Sequence, residues 1–454
     1  MKDIQKDILT VLILPVLLIG CLIIGVQLYY GLILGYVLTY IRARSKGKSP
    51  GEIIKVSFEG TSKVRNVLIM LTLIGALIST WMSMGTIPSL IYYGVEYLTK
   101  INIVVSAFLA CLIMSMVLGT GVGTVSTIGM VYLGIAKGLG ISLPLITGAI
   151  ISGSYFGDRG SLMSSNANLV ASVTGIKIKD SVAYMMKTGV LTAVISIVMF
   201  LIIGKNVGDT SALGQAIISL KDVLASSFTI SSLALFTPLV LFVLVLAFKK
   251  TMVESILGTL VISYIIGIFS IEGYGISGLG YMLYGYFPEG VASEIISGGG
   301  ILSMVKVLII ISVSTAICGI YDNTDMILPI IKPFRDKIKG LVSMYIFGGG
   351  LSIIISLTTC NQTLSSIIPG NYLRERCDEV GVSRLDFARI ISDTGMISVP
   401  IIPWNVNAIL VTSITGISAF DYFPFAVLCY GLPVVSLLYH IGKKNVKSSK
   451  LVKI

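Results

Sequence analysis

The sequence predicts an all-α polytopic membrane protein built from inverted repeats, with re-entrant hairpins and broken transmembrane helices. Three observations predict it: an apolar composition, repeated apolar runs approaching bilayer length, and polar interruptions that recur in the same order in the two halves of the chain.

Apolar residues make up 55% of the 454 and charged residues 12%, with a mean hydropathy of +0.94; ordinary soluble domains carry about 25% charge. A bilayer core of about 30 Å takes roughly 20 apolar residues per helix. Such runs extend over Leu9 to Ile41, Val67 to Leu98, Ile101 to Leu118, Leu143 to Phe156, Ala183 to Ile203, Leu233 to Phe248, Met252 to Ile271, Val305 to Ile320, Leu341 to Leu357, Ile401 to Ile417 and Phe423 to Ile441. The first is too long for one span at about 1.5 Å per residue, so it is expected to turn near Gln27 to Tyr30. Allowing for broken and re-entrant pieces, roughly ten to twelve crossings are expected. The sequence lacks the alternating pattern of a β-barrel. MKDIQKD at the N-terminus leads into an apolar stretch with no small-residue cleavage site, which reads as a retained first helix. The six cysteines are scattered singly, implying neither a disulfide frame nor a zinc site.

The net charge of +11 comes from basic residues at the ends of apolar runs, the pattern of cytoplasmic loops, and so speaks against nucleic acid as a partner. Arg42, Arg44, Lys46, Lys48, Lys63 and Arg65 precede the run from Val67, so that helix leaves from the cytoplasm. Lys332, Arg335, Lys337 and Lys339 follow the run from Val305, so that one arrives there. The tail after His440, with Lys443, Lys444, Lys447, Lys450 and Lys453, is cytoplasmic on the same rule. The chain divides into N-terminal helices and a cytoplasmic loop over 1–65, a first inverted repeat over 66–203, linker helices over 204–300, and a second repeat with the tail over 301–454.

In the first half GTGVGTVSTIG (Gly119 to Gly129) and SYFGDRGSLMSSNANL (Ser154 to Leu169) interrupt apolar sequence. In the second half SLTTCNQTLSS (Ser356 to Ser366) and ISDTGMISVPIIPWN (Ile391 to Asn405) do likewise, and Thr124 leads Asp158 by nearly the spacing at which Thr363 leads Asp393. This is the pattern of inverted repeats with broken helices. An unpaired peptide group in hydrocarbon costs several kcal/mol, so four such breaks imply one shared polar cavity. Asp158 and Asp393 sit at the centres of the two breaks that carry carboxylates. A carboxylate at the bilayer centre costs about 2.5 to 3.5 kcal/mol on insertion scales, and that cost marks an ion or proton pathway.

Plainer readings exist for each residue. Asp158 can pair with adjacent Arg159, Asp393 can cap a following helix, and Thr120, Thr124, Ser126 and Thr127 can be small packing residues. Asn168, Asn361, Gln362 and Asn405 are harder to dismiss, because buried amides demand partners. Asp322 and Asp325 either line the same cavity or sit at headgroup level, the second being favoured. Glu254 reads as a helix cap and His440, the one histidine, as a solvated bystander. Gly298 to Gly300 and Gly348 to Gly350 lack the lysine of a phosphate loop. No nucleotide signature marks a pump, and no nucleophile with a histidine base marks an enzyme.

At GTGVGTVSTIG, YFGDRGSLMSSNANLVASVTG and SDTGMISVPIIPWN the chain resembles the NhaC-type sodium/proton antiporter family, within the wider ion-transporter superfamily. Its most specific parts are Gly157, Asp158 and Arg159 followed by Asn168 and Leu169, and Asp393 with Gly395 leading to Pro403, Trp404 and Asn405. The resemblance implies that Asp158, Asn168, Asp393, Thr394 and Asn405 line a cation site, with Thr124 and Asn361 at hairpin tips and Asp158 and Asp393 as Na+ ligands. The chain departs from the family at Leu162, where a proline is usual, and at Ser165 and Ser392, where acidic residues are usual. Two carboxylates are thereby missing, and a cavity of hydroxyls and amides suits an organic substrate whose own carboxylate stands beside Na+.

The expected function is sodium/proton antiport across a bacterial or archaeal plasma membrane, with no cofactor and with Na+ and H+ as the ions moved. The alternative is a sodium- or proton-coupled transporter or exchanger of amino acids or small organic acids; a channel and a membrane scaffold rank below both. The expected partners are the lipid bilayer, a small ion or small organic substrate and, by analogy with the fold, a second copy in a homodimer.

Overall fold

The computed structural model describes residues 2–98, 102–206 and 210–451, and among these every regular element is helical. In chain order the helices are α1 (Lys2–Ile24), α2 (Leu28–Ser45), α3 (Pro50–Ser62), α4 (Arg65–Ser83), α5 (Thr86–Leu98), α6 (Ile103–Leu118), α7 (Gly121–Thr124), α8 (Met130–Gly138), α9 (Leu143–Gly160), α10 (Ser165–Thr174), α11 (Ile178–Ile203) and α12 (Thr210–Ser227). They continue as α13 (Phe236–Phe242), α14 (Met252–Ser270), α15 (Tyr274–Tyr284), α16 (Val291–Ile295), α17 (Ile301–Thr324), α18 (Leu328–Lys337), α19 (Leu341–Ser343), α20 (Gly350–Thr359), α21 (Gln362–Glu379), α22 (Arg384–Ile391), α23 (Val406–Thr415), α24 (Ala419–Tyr422) and α25 (Val427–Leu451). The start of one expected run, Ile101, and the last basic residue of the tail, Lys453, lie outside the described residues.

Among the described residues six helical segments, one of them α19 and α20 joined by a π-helical turn, are long and apolar enough to cross a membrane, and up to eight spans result if each of two bent pairs counts as one. That is fewer than the apolar runs suggest, because breaks leave pieces such as Ile103–Leu118 and Phe236–Val245 that are apolar but short. The long first run does turn, between Ile24 and Leu28. Arg42 of α2 returns to Asp7 of α1 through a 2.7 Å bond from its Nε, so the two helices form an antiparallel pair. The stretch before Val67 contains α3, opened by Ser49 and Glu52 in reciprocal capping with Pro50 in the first turn. Its inner face packs on α17 so closely that a Cβ at Gly60 would stand 2.4 Å from the Thr315 carbonyl oxygen.

One helix, α11, buries a row of small and hydroxylated residues and turns large apolar ones outward. On α11, Thr188, Gly189, Thr192 and Ser196 face inward, and Thr192 and Ser196 return their hydroxyl protons to carbonyls four residues back. Val190, Val194 and Ile202 are more than half exposed. This is the reverse of a soluble helix and suits a lipid exterior. A close crossing brings α9 against α6 through Gly153 and Gly157, spaced four apart. A Cβ at Gly157 would stand 2.1 Å from the backbone carbon of Ser115, so only glycine admits this approach.

The two halves share one backbone signature. α6 ends on Gly119 in the left-handed region (φ 69°), followed by Thr120 extended (φ −144°), whose hydroxyl caps α7. α20 ends on Cys360, also left-handed (φ 55°), followed by Asn361 extended (φ −129°), whose side chain caps α21. Thirty or more residues later in each half, a second break is capped by Ser164 ahead of α10 and by Asn405 ahead of α23, both extended. A single left-handed residue turns the chain sharply, and an Asn, Ser or Thr then satisfies the free N–H groups of the next helix.

Candidate cation site

The four caps bring the first turns of four helices to the rim of one cavity of about 750 Å³, lined by Thr120, Asp158, Asn166, Gln362 and Asn407 among others. Asp158, near the end of α9, is 6% exposed. Its Oδ2 accepts from Gln362 Nε2 at 2.9 Å and from Asn166 Nδ2 at 3.0 Å, and its Oδ1 from the Gly121 backbone N–H at 3.3 Å. Gln362 Oε1 in turn accepts from Asn166 Nδ2 at 3.0 Å and Asn407 Nδ2 at 3.2 Å, and Tyr155 donates its hydroxyl proton to Asn407 Oδ1 at 3.0 Å. Every partner of this carboxylate is neutral. The network joins α7, α9 and α10 of the first half to α21 and α23 of the second.

Of the other expected residues Asn405 touches this network, accepting from Asn407 Nδ2 at 3.4 Å, and the rest lie off it. Asp393, with no measurable exposure, sits in a π-helical turn (Ser392–Met396) and faces Arg159, whose Nε reaches its Oδ1 at 2.6 Å. Thr188 donates to Asp393 Oδ2 at 2.8 Å. Neither plain reading of the two aspartates describes this: Arg159 pairs with the distant aspartate and not with its neighbour Asp158, and Asp393 caps no helix. Thr394 donates to the Ile390 carbonyl and Thr124 to that of Thr120, as packing hydroxyls do. Asn168 points to the carbonyls of Leu162 and Ser164. Asn405 caps α23 and donates to Ser356, while Asn361 caps α21 and lines the cavity.

Asn166, Asn407 and Tyr155 were not singled out from sequence. Asn166 and Asn407 each follow a cap by two positions, in the first turn of a helix whose N-terminus meets the cavity, and that offset is the signal that finds them. Among the described residues no three His, Cys, Asp or Glu side chains converge, so a cation here has one carboxylate and otherwise neutral oxygens.

A second cavity of about 440 Å³ adjoins the first and shares Val64, Val67, Asn361 and Thr363 with it. It holds Asp322, which pairs with Lys63 at 3.4 Å, and Asp325, so these two line a neighbouring cavity and not the one that holds Asp158. Glu254 does cap α14, reciprocally with Thr251. His440 is buried and not solvated. Its Nδ1 lies 2.6 Å from the Ser436 carbonyl and its Nε2 3.3 Å from Arg389, within a cluster that ties Asp386 to Arg389 and Lys443.

A model of the Na+/H+ antiporter family matches residues 153–442. A Na+/H+ antiporter NhaC of Bacillus subtilis is 29% identical, covering 94% of this chain and 95% of the relative. A malate-2H+/Na+-lactate antiporter of the same organism is 28% identical, covering 89% of each. An arginine/ornithine antiporter ArcD of Halobacterium salinarum is 28% identical, covering 90% of this chain and 85% of the relative.

Proposed function

The chain belongs to the Na+/H+ antiporter family, and from that premise we propose that it exchanges sodium for protons at Asp158, as a multi-pass membrane transporter and not an enzyme. The observation that carries this reading is a buried carboxylate in the central cavity whose partners are all neutral. A bare carboxylate away from water costs several kcal/mol. A proton or a Na+ relieves that cost, and the two exclude each other on one side chain. An Asp158 that changes sides only when neutralised therefore carries one ion in each direction, which is antiport.

The amide of Gln362 fits both occupants, since a half-turn presents either its donor to the carboxylate or its oxygen to a cation. The four first turns around the cavity supply N–H groups of broken helices, and the repeated left-handed, extended, capped signature supports two inverted repeats over 66–203 and 301–454 with re-entrant hairpins at Thr120 and Asn361. Alternating access then moves one set of half-helices against the other around a fixed site.

Basic side chains hold together the ends of several helices. Lys46 reaches the Thr324 carbonyl, Arg376 the Ile338 carbonyl, Arg335 Glu379, and Lys443 Asp386 and Tyr184. By the positive-inside rule these helix ends and the C-terminus are cytoplasmic. Lys63 lines the smaller cavity and Lys250 the larger, which supports a cytoplasm-facing state.

A second reading is favoured by the cavity volume, far above what a bare Na+ fills. The first turns of α7, α10, α21 and α23, joined by that of α14, suit a substrate carboxylate, so exchange of small organic acids or amino acids coupled to Na+ or H+ is the alternative. One experiment separates the two. Purified protein is reconstituted into liposomes holding a pH dye and an acidic lumen, and Na+ is added outside. Sodium/proton antiport alkalinises the lumen without any organic solute. Lumenal pH that responds only when amino acids or carboxylates are also supplied overturns the first reading in favour of the second. A homodimer, expected by fold analogy, is read by light scattering of the detergent-solubilised protein.

A further inference from the structure

We propose that Asp393 is a positioning residue, which holds the Arg159 guanidinium away from Asp158 so that the site carboxylate keeps its charge for the transported cation. The proposal rests on the reading of Asp158 given above. Asp158 and Arg159 are consecutive on α9, and successive residues on a helix point about 100° apart, so the two leave the helix on different flanks. A side chain as long as arginine can still swing back toward its neighbour. What prevents it is a built pocket.

Arg159 is 1% exposed. Its Nε lies 2.6 Å from Asp393 Oδ1 and its Nη2 contacts the same oxygen. Nη2 also donates to the Met185 carbonyl at 3.0 Å and to Thr188 Oγ1 at 3.2 Å, while Thr188 fixes the other oxygen of Asp393. Gly189 makes room for the end of the guanidinium, since a Cβ there would stand 2.9 Å from Arg159 Nη1. On the other side, the π-helical turn that carries Asp393 is pressed on α20 at Gly395, where a Cβ would stand 2.1 Å from Ser352 Oγ. Such turns re-aim a side chain by one extra residue.

Nη1 itself has no acceptor, so the guanidinium depends on Asp393 for its countercharge. Asp393 is absent from the residues that line the central cavity, where Asp158 and Lys250 are the charged side chains among those described. Asp158, Arg159 and Asp393 together carry one net negative charge. Without Asp393 they carry none, and Arg159 competes with the cation for Asp158.

The test compares Asp393→Asn, Arg159→Met with Asp393→Asn, and Asp158→Asn, each measured for the KM of Na+ in reconstituted liposomes. Asp393→Asn is expected to raise that KM on the order of tenfold to a hundredfold. The double variant, which removes the competing cation and leaves an uncharged pocket, is expected to bring it back to within about threefold of wild type, a rescue open to a positioning role and closed to a ligand. A double variant whose KM stays as high as that of Asp393→Asn, or an Asp393→Asn protein with unaltered KM, overturns the proposal. If the single variant fails to fold because Arg159 is left unpaired, the KM of the double variant decides alone by the same criterion. Asp158→Asn keeps the two readings apart: exchange by that variant sinks the assignment of Asp158, whereas its inactivity beside an unrescued double variant sinks this proposal only.

Discussion

Replacing Asp158 by asparagine keeps the size of the side chain and removes its charge, and the contacts say what each change does. Three donors converge on the carboxylate, from Gln362, Asn166 and the Gly121 backbone. An asparagine oxygen still serves the first two, but its amide group meets the Gly121 N–H donor to donor. One buried N–H without an acceptor costs about 1 to 3 kcal/mol, and this is offset by losing a buried charge that had no cationic partner. The folded protein is therefore expected to survive within about 2 kcal/mol of wild type. Transport is not. A unit charge about 3 Å from Na+ at an effective dielectric constant of about 20 is worth roughly 5 kcal/mol, more than a thousandfold in affinity. Thermal unfolding followed by tryptophan fluorescence reports the fold, since Trp404 lies beside the Asn405 cap with its Nε1 on the Leu357 carbonyl. Sodium-driven proton movement in liposomes reports the function. A variant that unfolds as wild type does and exchanges at the wild-type rate would refute the reasoning.

Gln362→Met removes one donor from Asp158 and the shared acceptor of Asn166 and Asn407, so a stability loss of about 1 to 3 kcal/mol with strongly reduced exchange is expected in the same two assays. Asn405→Ala should cost about 1 to 2 kcal/mol through the lost cap, while Asn405→Ser, which still caps, should recover most of the melting temperature and the transport; a serine variant with an intact fold and no transport would point to a ligand role instead. Gly157→Ala places a Cβ 2.1 Å from the Ser115 backbone, and because backbone cannot give way as a side chain can, a loss of about 1 to 3 kcal/mol or more is expected, seen as a lower melting temperature in detergent.

The breaks were legible because they are local. A glycine that tolerates a positive φ followed by a threonine, as at Gly119 and Thr120, is written in consecutive residues, and so is the turn between α1 and α2, whereas Cys360, left-handed ahead of Asn361, carries no such mark. The site was legible in part for the same reason. Asp158 stood out as a carboxylate in apolar sequence, and Gln362 as an amide that needs a partner. Asn166 and Asn168 look alike in sequence, and only the cap at Ser164 decides that the first faces Asp158 while the second turns to the carbonyls of Leu162 and Ser164. His440 looked solvated because the lysines after it are polar, yet Arg389 on a distant helix encloses it.

The sequence by itself determined that this chain lives in a membrane and where its helices break, since hydrocarbon and backbone hydrogen bonding act on each residue where it stands. Only the tertiary structure decided which aspartate keeps its charge free. Arg159 had a carboxylate on its own helix and another 234 positions away, and the choice between them depends on the packing of α11 and the second half around its guanidinium, which is a property of distance in space and not along the chain.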